Sequence, residues 1–213
     1  MPPITLYFLQ ASRSIRTAWL LEELNLDYTV QFSDRVNQKA PEEFKAASGN
    51  PLGKSPMIRD GDLTVYESGV ISESGKVLPL DRAQRVKVRQ WVHAAEATFM
   101  LHSLAILYAR WNIPSDAPSG TVEAAEKGMS TNVQNDLAWL ENELSSSSSS
   151  SGKFLCGESV TAADIMMQFS ADFILARELG TKGKEYPAIR KWLEVCKGTE
   201  GYKRAVEKTG HKL

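Results

Sequence analysis

Two short strings in the first third of the chain carry residue types suited to holding a small zwitterion. They are Gly53-Lys54-Ser55-Pro56-Met57 and, ten residues later, Glu67-Ser68-Gly69. The first reads as a turn that passes through proline into a strand. The second sets a carboxylate and a hydroxyl where a helix begins, after the strand Leu63-Thr64-Val65-Tyr66. The first N–H groups of a helix lack partners within it and attract a carboxylate, while a neighbouring Glu attracts an ammonium. An amino-acid-like end such as a γ-glutamyl group fits both.

Such strings need a scaffold, and the flanking residues supply one. Ile4-Thr5-Leu6-Tyr7-Phe8-Leu9 is rich in β-branched and aromatic types and predicts a buried strand. Ser12 or Ser14 opens a helix from about Ile15 to Leu24, with Asn25 as its stop. Tyr28 to Phe32 predicts a second strand, parallel to the first because the connection is helical. Pro41 starts a short helix over 41–47, and Asn50-Pro51-Leu52-Gly53 is a turn. Met57 to Arg59 and Leu63 to Tyr66 flank Asp60-Gly61, a strong hairpin signal. The order βαβ, an irregular helix, then ββα is that of the thioredoxin fold. The stretch from Ser68 to Val77 leaves room for barely two helical turns before Gly75.

From about Asp81 onward the pattern is helical. Val88, Trp91, Val92 and Ala95 recur at i, i+3, i+4 and i+7, which is one apolar face. Met129, Val133, Leu137, Leu140 and Leu144 make a second stripe. Ala162, Ile165, Met166, Phe169, Phe173 and Ala176 make a third. Ile189, Trp192, Leu193 and Cys196 make a fourth, entered through Pro187. The fold class is therefore α/β plus all-α: a thioredoxin-like domain over 1–76, then a helical bundle over 82–213. Thr161-Ala162-Ala163-Asp164 predicts a capping box with Val160 and Ile165 as its staple, a structural device whose loss costs about 1 kcal/mol. Ser145 to Ser151 predict a flexible polar linker.

Composition excludes several classes. A formal net charge of −1 and a pI near 6.3, with both signs interspersed, give no electrostatic case for nucleic acid. No apolar run approaches the roughly 18 residues of a membrane span, and the start lacks a secretory pattern. Cys156 and Cys196 form neither a disulfide framework nor a metal site, and their apolar surroundings predict small core residues. A reducing, cytoplasmic compartment is the expectation.

Four strings in fixed order then support a family assignment. Ser12-Arg13-Ser14-Ile15-Arg16 leads into Trp19-Leu20-Leu21-Glu22-Glu23-Leu24. Asn50-Pro51-Leu52-Gly53-Lys54-Ser55-Pro56, Glu67-Ser68-Gly69, and Leu155-Cys156-Gly157 ahead of Thr161-Ala162-Ala163-Asp164 follow. Over nearly its whole length the chain resembles the cytosolic glutathione transferases, and within them the fungal branch. The resemblance implies a cis peptide before Pro56 and main-chain contact from Ser55 to the cysteinyl part of glutathione. Valine or isoleucine is commoner there. It also implies that Ser68 holds the α-carboxylate, Glu67 the α-ammonium, and Lys54 the glycyl carboxylate. Serine-type members keep a serine four residues before a helix arginine, which maps onto Ser12 and Arg16. One hydroxyl donor beside a helix N-terminus can hold the glutathione sulfur as thiolate. Ser12, Ser14 and the strand residue Tyr7 stay open for that role. A cysteine at the first turn, as in thiol–disulfide oxidoreductases, is missing.

The resemblance implies an enzyme that sends glutathione thiolate against a hydrophobic electrophile, with no metal, and a homodimer. Phe99, Met100, His102, Leu107, Tyr108 and Trp111 are candidate walls for the second substrate, and His102 reads as structural before it reads as a base. Two alternatives remain open. One is a glutathione-dependent cis–trans isomerase of a conjugated alkene in fungal secondary metabolism of the polyketide (pseurotin-type) kind. The other is a non-catalytic glutathione-binding or regulatory protein.

Overall fold

The computed structural model describes residues 4–50, 52–72, 75–146 and 152–213. Pro51 of the expected turn, Glu73 and Ser74 of the Ser68–Val77 stretch, and Ser147 to Ser151 of the serine run lie outside the described residues.

Four strands form one sheet in the order β2-β1-β3-β4. β1 (Ile4–Leu9) pairs in parallel with β2 (Tyr28–Ser33), Ile4 opposite Tyr28, across the helical connection α1 (Ser14–Glu23). β3 (Met57–Asp60) runs antiparallel to β1 and to β4 (Leu63–Tyr66). Because Asp60 pairs with Leu63, the hairpin loop is Gly61-Asp62, one residue later than the Asp60-Gly61 expected. Gly61 takes φ +57 there, which suits a residue without Cβ.

The strand period of two divides β1 between two cores. Leu6 and Phe8 turn toward α1 and the main core. Tyr7 and Leu9 turn to the other face and pack with Phe44 and Met57. Phe44 comes from α2 (Glu42–Ser48), which is capped by Pro41 and ends at Gly49 with φ +70. After β4, α3 is a single short helix, Ser68–Ser72, followed by a 3-10 turn at Gly75–Val77.

The helical part comprises α4 (Arg82–Ala94), α5 (Leu101–Asn112), α6 (Thr121–Ser145), α7 (Ala162–Ala176), α8 (Pro187–Lys197) and α9 (Glu200–Thr209). A π-helical segment, Ala95–Met100, joins α4 to α5 without a break. The apolar stripes face inward as read, except that Ala176 is exposed and Met129 and Leu144 are only partly covered. Trp91 stacks on Trp139 with ring centroids 4.3 Å apart, and Phe99 packs beside them. α9 folds back onto α1, where Tyr202 meets Trp19 edge-on at 5.3 Å. Gly201 permits that approach, since a Cβ there would lie 2.3 Å from a carboxylate oxygen of Glu23. One continuous core thus runs from the sheet through the bundle.

Asp164 does more than cap α7. Its Oδ2 accepts from the Thr161 N–H at 3.0 Å and the Thr161 hydroxyl at 3.0 Å. Its Oδ1 accepts from the Leu155 N–H at 2.8 Å and the Trp192 indole at 3.0 Å. One fully buried carboxylate therefore ties together the approach to α7, the loop before it and α8. Burial raises its pKa, and the four donors oppose that rise. Both cysteines are buried; burial and then Asp164 push the Cys156 thiol up to about 12 and the Cys196 thiol well above its ordinary value.

Candidate active site

A cleft of about 490 Å³ opens where the β1–α1 loop and the approach to β3 face α5 and α7. Its lining includes Ser12, Lys54 and Ser55 from the residues singled out in the sequence. Ser14, Pro56, Glu67 and Ser68 are not on that surface.

The three serines nearest the cleft form one chain of hydroxyls. Ser55 Oγ donates to the Tyr7 carbonyl at 3.0 Å, because a carbonyl can only accept. Ser55 Oγ also meets Ser14 Oγ at very short range, and its one hydrogen is already committed, so Ser14 is the donor. Ser12 Oγ lies 2.8 Å from Ser14 Oγ and, by the same reasoning, donates to it. The Ser14 N–H in turn donates to Ser12 Oγ at 3.2 Å. Ser14 is fully buried in the middle of this chain, while Ser12 and Ser55 reach the cleft. Tyr7 is buried on the other face of β1, with the Arg59 guanidinium 5.5 Å over its ring, and does not line the cleft. Of the three hydroxyls left open by the sequence, Ser12, Ser14 and Tyr7, Ser12 is the one that lines the cleft.

The Ser55–Pro56 peptide is cis. Pro56 is buried, Ser55 half-buried and Lys54 exposed. Asn50 holds the turn by donating from Nδ2 to the Lys54 carbonyl at 2.8 Å. Among the described residues no carboxylate pairs with the Lys54 ammonium.

Glu67 is exposed and takes φ +74, a conformation disfavoured for a residue with a Cβ, at the junction of β4 and α3. Ser68 behind it is buried, and its hydroxyl oxygen accepts from Arg16 Nη1 at 3.3 Å. Its own hydrogen is left free to donate elsewhere.

In the sequence Arg16 is only a family marker, and the structure gives it a larger part. The guanidinium is 1% exposed, lies 5.3 Å from the Phe169 ring centroid, and donates to Ser170 Oγ at 2.7 Å. It shares the Glu96 carboxylate with Arg13, both at very short range. Burial lowers the Arg16 pKa and Glu96 works against that. Burial alone would raise the Glu96 pKa, but Arg16 and Arg13 outweigh it and hold the carboxyl below its usual range. Glu96 sits on the π-helical segment, whose extra residue per turn re-aims side chains. No linear signal ties Glu96 to Arg16, because their 80-residue separation closes only on folding.

Of the expected apolar walls, Met100, Leu107, Tyr108 and Trp111 line the cleft. Phe99 is core, and His102 pairs through Nδ1 with Asp136 at 2.7 Å, away from the cleft lining. Leu104, Phe169 and Phe173 complete the apolar wall. The sequence reading missed Arg35 and Arg177, which also line it.

Comparison with known proteins bears on this arrangement. Residues 2–73 match the family model "Glutathione S-transferase, N-terminal domain", and residues 94–199 match "Glutathione S-transferase, C-terminal domain". The chain is 30% identical to glutathione S-transferase 3 of Schizosaccharomyces pombe, covering 96% of this chain and 87% of that protein. A glutathione S-transferase from Actinobacillus pleuropneumoniae superposes with a TM-score of 0.77 at 27% identity, covering 99% of this chain and 94% of that one. A glutathione transferase family member from Pseudomonas fluorescens, solved with two glutathiones bound, shares the fold at a TM-score of 0.73 and 21% identity, covering 96% and 92%. The chain belongs to the glutathione S-transferase family.

Proposed function

We propose that the protein is a glutathione transferase in which Ser12 holds the glutathione sulfur as thiolate for attack on a hydrophobic electrophile. The observation that carries this reading is that Ser12 is the hydroxyl, of three in one chain, that both opens on the cleft and sits two residues ahead of α1. To serve a thiolate, Ser12 turns its hydrogen from Ser14 Oγ to the sulfur. Ser14 and Ser55 keep their own bonds toward the Tyr7 carbonyl. The amino-acid end of the tripeptide belongs at Glu67 and Ser68: the free Glu67 carboxylate meets the ammonium, and the spare Ser68 hydrogen meets the α-carboxylate. Lys54 takes the glycyl carboxylate, and the Ser55 main chain beside the cis bond takes the cysteinyl unit. The sulfur forms a bond to an electrophilic carbon as the leaving group departs with its electron pair. With an activated alkene, the adjacent carbon takes a proton from water instead. The active form is a homodimer.

Calorimetry with glutathione and turnover with 1-chloro-2,4-dinitrobenzene test this directly. Micromolar-to-millimolar binding and a product heavier by the tripeptide are the expected results. Binding without turnover on a panel of electrophiles would make the protein a glutathione-binding module. An alkene product of unchanged mass would make it an isomerase.

A further inference from the structure

The cleft carries a charge imbalance that the tripeptide does not use up. Among the described residues six cationic side chains line it, Arg13, Arg35, Lys39, Lys45, Lys54 and Arg177, and no carboxylate does. Two have acidic partners, Arg13 in Glu96, which it shares with Arg16, and Lys45 in Glu42 at 2.6 Å. The other four have no acidic partner among the described residues. Glutathione brings its glycyl carboxylate and its thiolate into this space, two negative charges against four positive ones.

Two of these four, Arg35 and Arg177, are close enough to act on each other. Arg35 spends its donors on neutral carbonyls, those of Gln10 at 2.9 Å, Gln38 at 3.0 Å and Ala11 at 3.4 Å, so its charge is fixed in place and uncompensated. The Arg177 guanidinium lies 5.0 Å from the Phe173 ring centroid, and among the described residues its buried Nε has no hydrogen-bond partner. Partial burial and then the like charges of Arg177 and Arg13 pull the Arg35 pKa below the ordinary arginine value, so these cations repel one another in the free protein. Beside them Tyr108 and Trp111, 51% and 43% exposed with rings 5.9 Å apart, offer open aromatic surface. Two neighbouring guanidinium groups without acidic partners, on a cleft with an open apolar wall, favour an anion attached to an apolar body.

We propose that the second substrate of this cleft is an apolar organic anion, whose carboxylate or equivalent acidic group is seated by Arg35 and Arg177 while its body lies on Tyr108 and Trp111. This rests on the transferase reading above and gives that reading its substrate class.

The test uses ethacrynic acid, an aryl enone with a remote carboxylate, against its methyl ester, each rate divided by the uncatalysed one. Wild-type protein is expected to show a KM at least tenfold lower for the acid, with the advantage shrinking in 0.5 M NaCl. In Arg177→Gln the ratio of the two KM values collapses toward one. Arg35→Gln reports the same seat, although it also releases the loop carbonyls. Equal use of acid and ester by the wild type, or an unchanged ratio in Arg177→Gln, would overturn the proposal. Binding of the unreactive apolar anion 8-anilinonaphthalene-1-sulfonate, read by fluorescence, is expected to weaken tenfold in Arg177→Gln whether or not any substrate turns over. Weakened dye binding with no conjugate from either electrophile would mean that the seat exists and the transferase reading fails. Two glutathiones per chain by calorimetry, one lost in Arg177→Gln, would give the seat to a second tripeptide and overturn the proposal as well.

Discussion

Replacing Ser12 by alanine isolates the step on which the proposed chemistry turns. In the free protein the Ser12 hydrogen is engaged by Ser14 Oγ at 2.8 Å. Turning it to a thiolate gives up one neutral hydrogen bond, worth about 1 kcal/mol net, for one to a charged acceptor worth about 1.5–3 kcal/mol. The surplus of about 0.5–2 kcal/mol converts, at about 1.4 kcal/mol per unit, to a thiol pKa lowered by roughly 0.4–1.5 units. Ser12→Ala should therefore raise the pKa of the bound glutathione thiol by that amount, read as thiolate absorbance near 240 nm across a pH series. Ser14→Ala removes the competing acceptor instead, so the thiol pKa should hold or fall. That opposite sign separates a donor from a buried spectator that merely shapes the loop. A rise in Ser14→Ala or Tyr7→Phe with no change in Ser12→Ala would refute the reasoning.

Three further predictions concern stability and the coupling of the site to the bundle. Asp164→Ala strands the N–H groups of Leu155 and Thr161 and the Trp192 indole inside the protein, so urea unfolding should show a loss of about 4 kcal/mol; a loss near 1 kcal/mol would mean the carboxylate is only a helix cap. His211 is buried against Phe8 and Phe169, and burial followed by Lys197 lowers its pKa to about 4, below the ordinary 6.5. Its contribution is thus fully present above pH 6.5 and is lost as pH falls toward 4, by about 3 kcal/mol in all; His211→Phe should flatten that part of the stability–pH profile relative to wild type. Glu96→Gln leaves the buried Arg16 charge without its counter-ion, which should cost about 3–5 kcal/mol and raise the KM for glutathione through Ser68; an unchanged KM would detach Arg16 from the site.

Much of this architecture was legible because it rests on local rules. The β-branched and aromatic run of residues 4–9, the 3.6-residue stripes and the Thr161–Asp164 box each concern residues within a turn or two of one another, so the sequence alone determined the element order and the helical bundle. The four family strings carried the residues proposed to hold glutathione, and the fold brings Ser12, Lys54 and Ser55 to one cleft. Other features were settled only on folding. The hairpin loop moved by one residue because strand pairing, not turn preference, fixed its register. Which of Ser12, Ser14 and Tyr7 lines the cleft depended on how the β1–α1 junction folds, and hydrogen-bond direction along a three-serine chain has no linear signature. The Arg16–Glu96 pairing and the gathering of Arg35 and Arg177 join residues 80 and 142 positions apart (96 − 16 and 177 − 35). Sequence periodicity reports which face of an element is buried, whereas charge balance in a cleft depends on which elements meet there, and tertiary packing alone decides that.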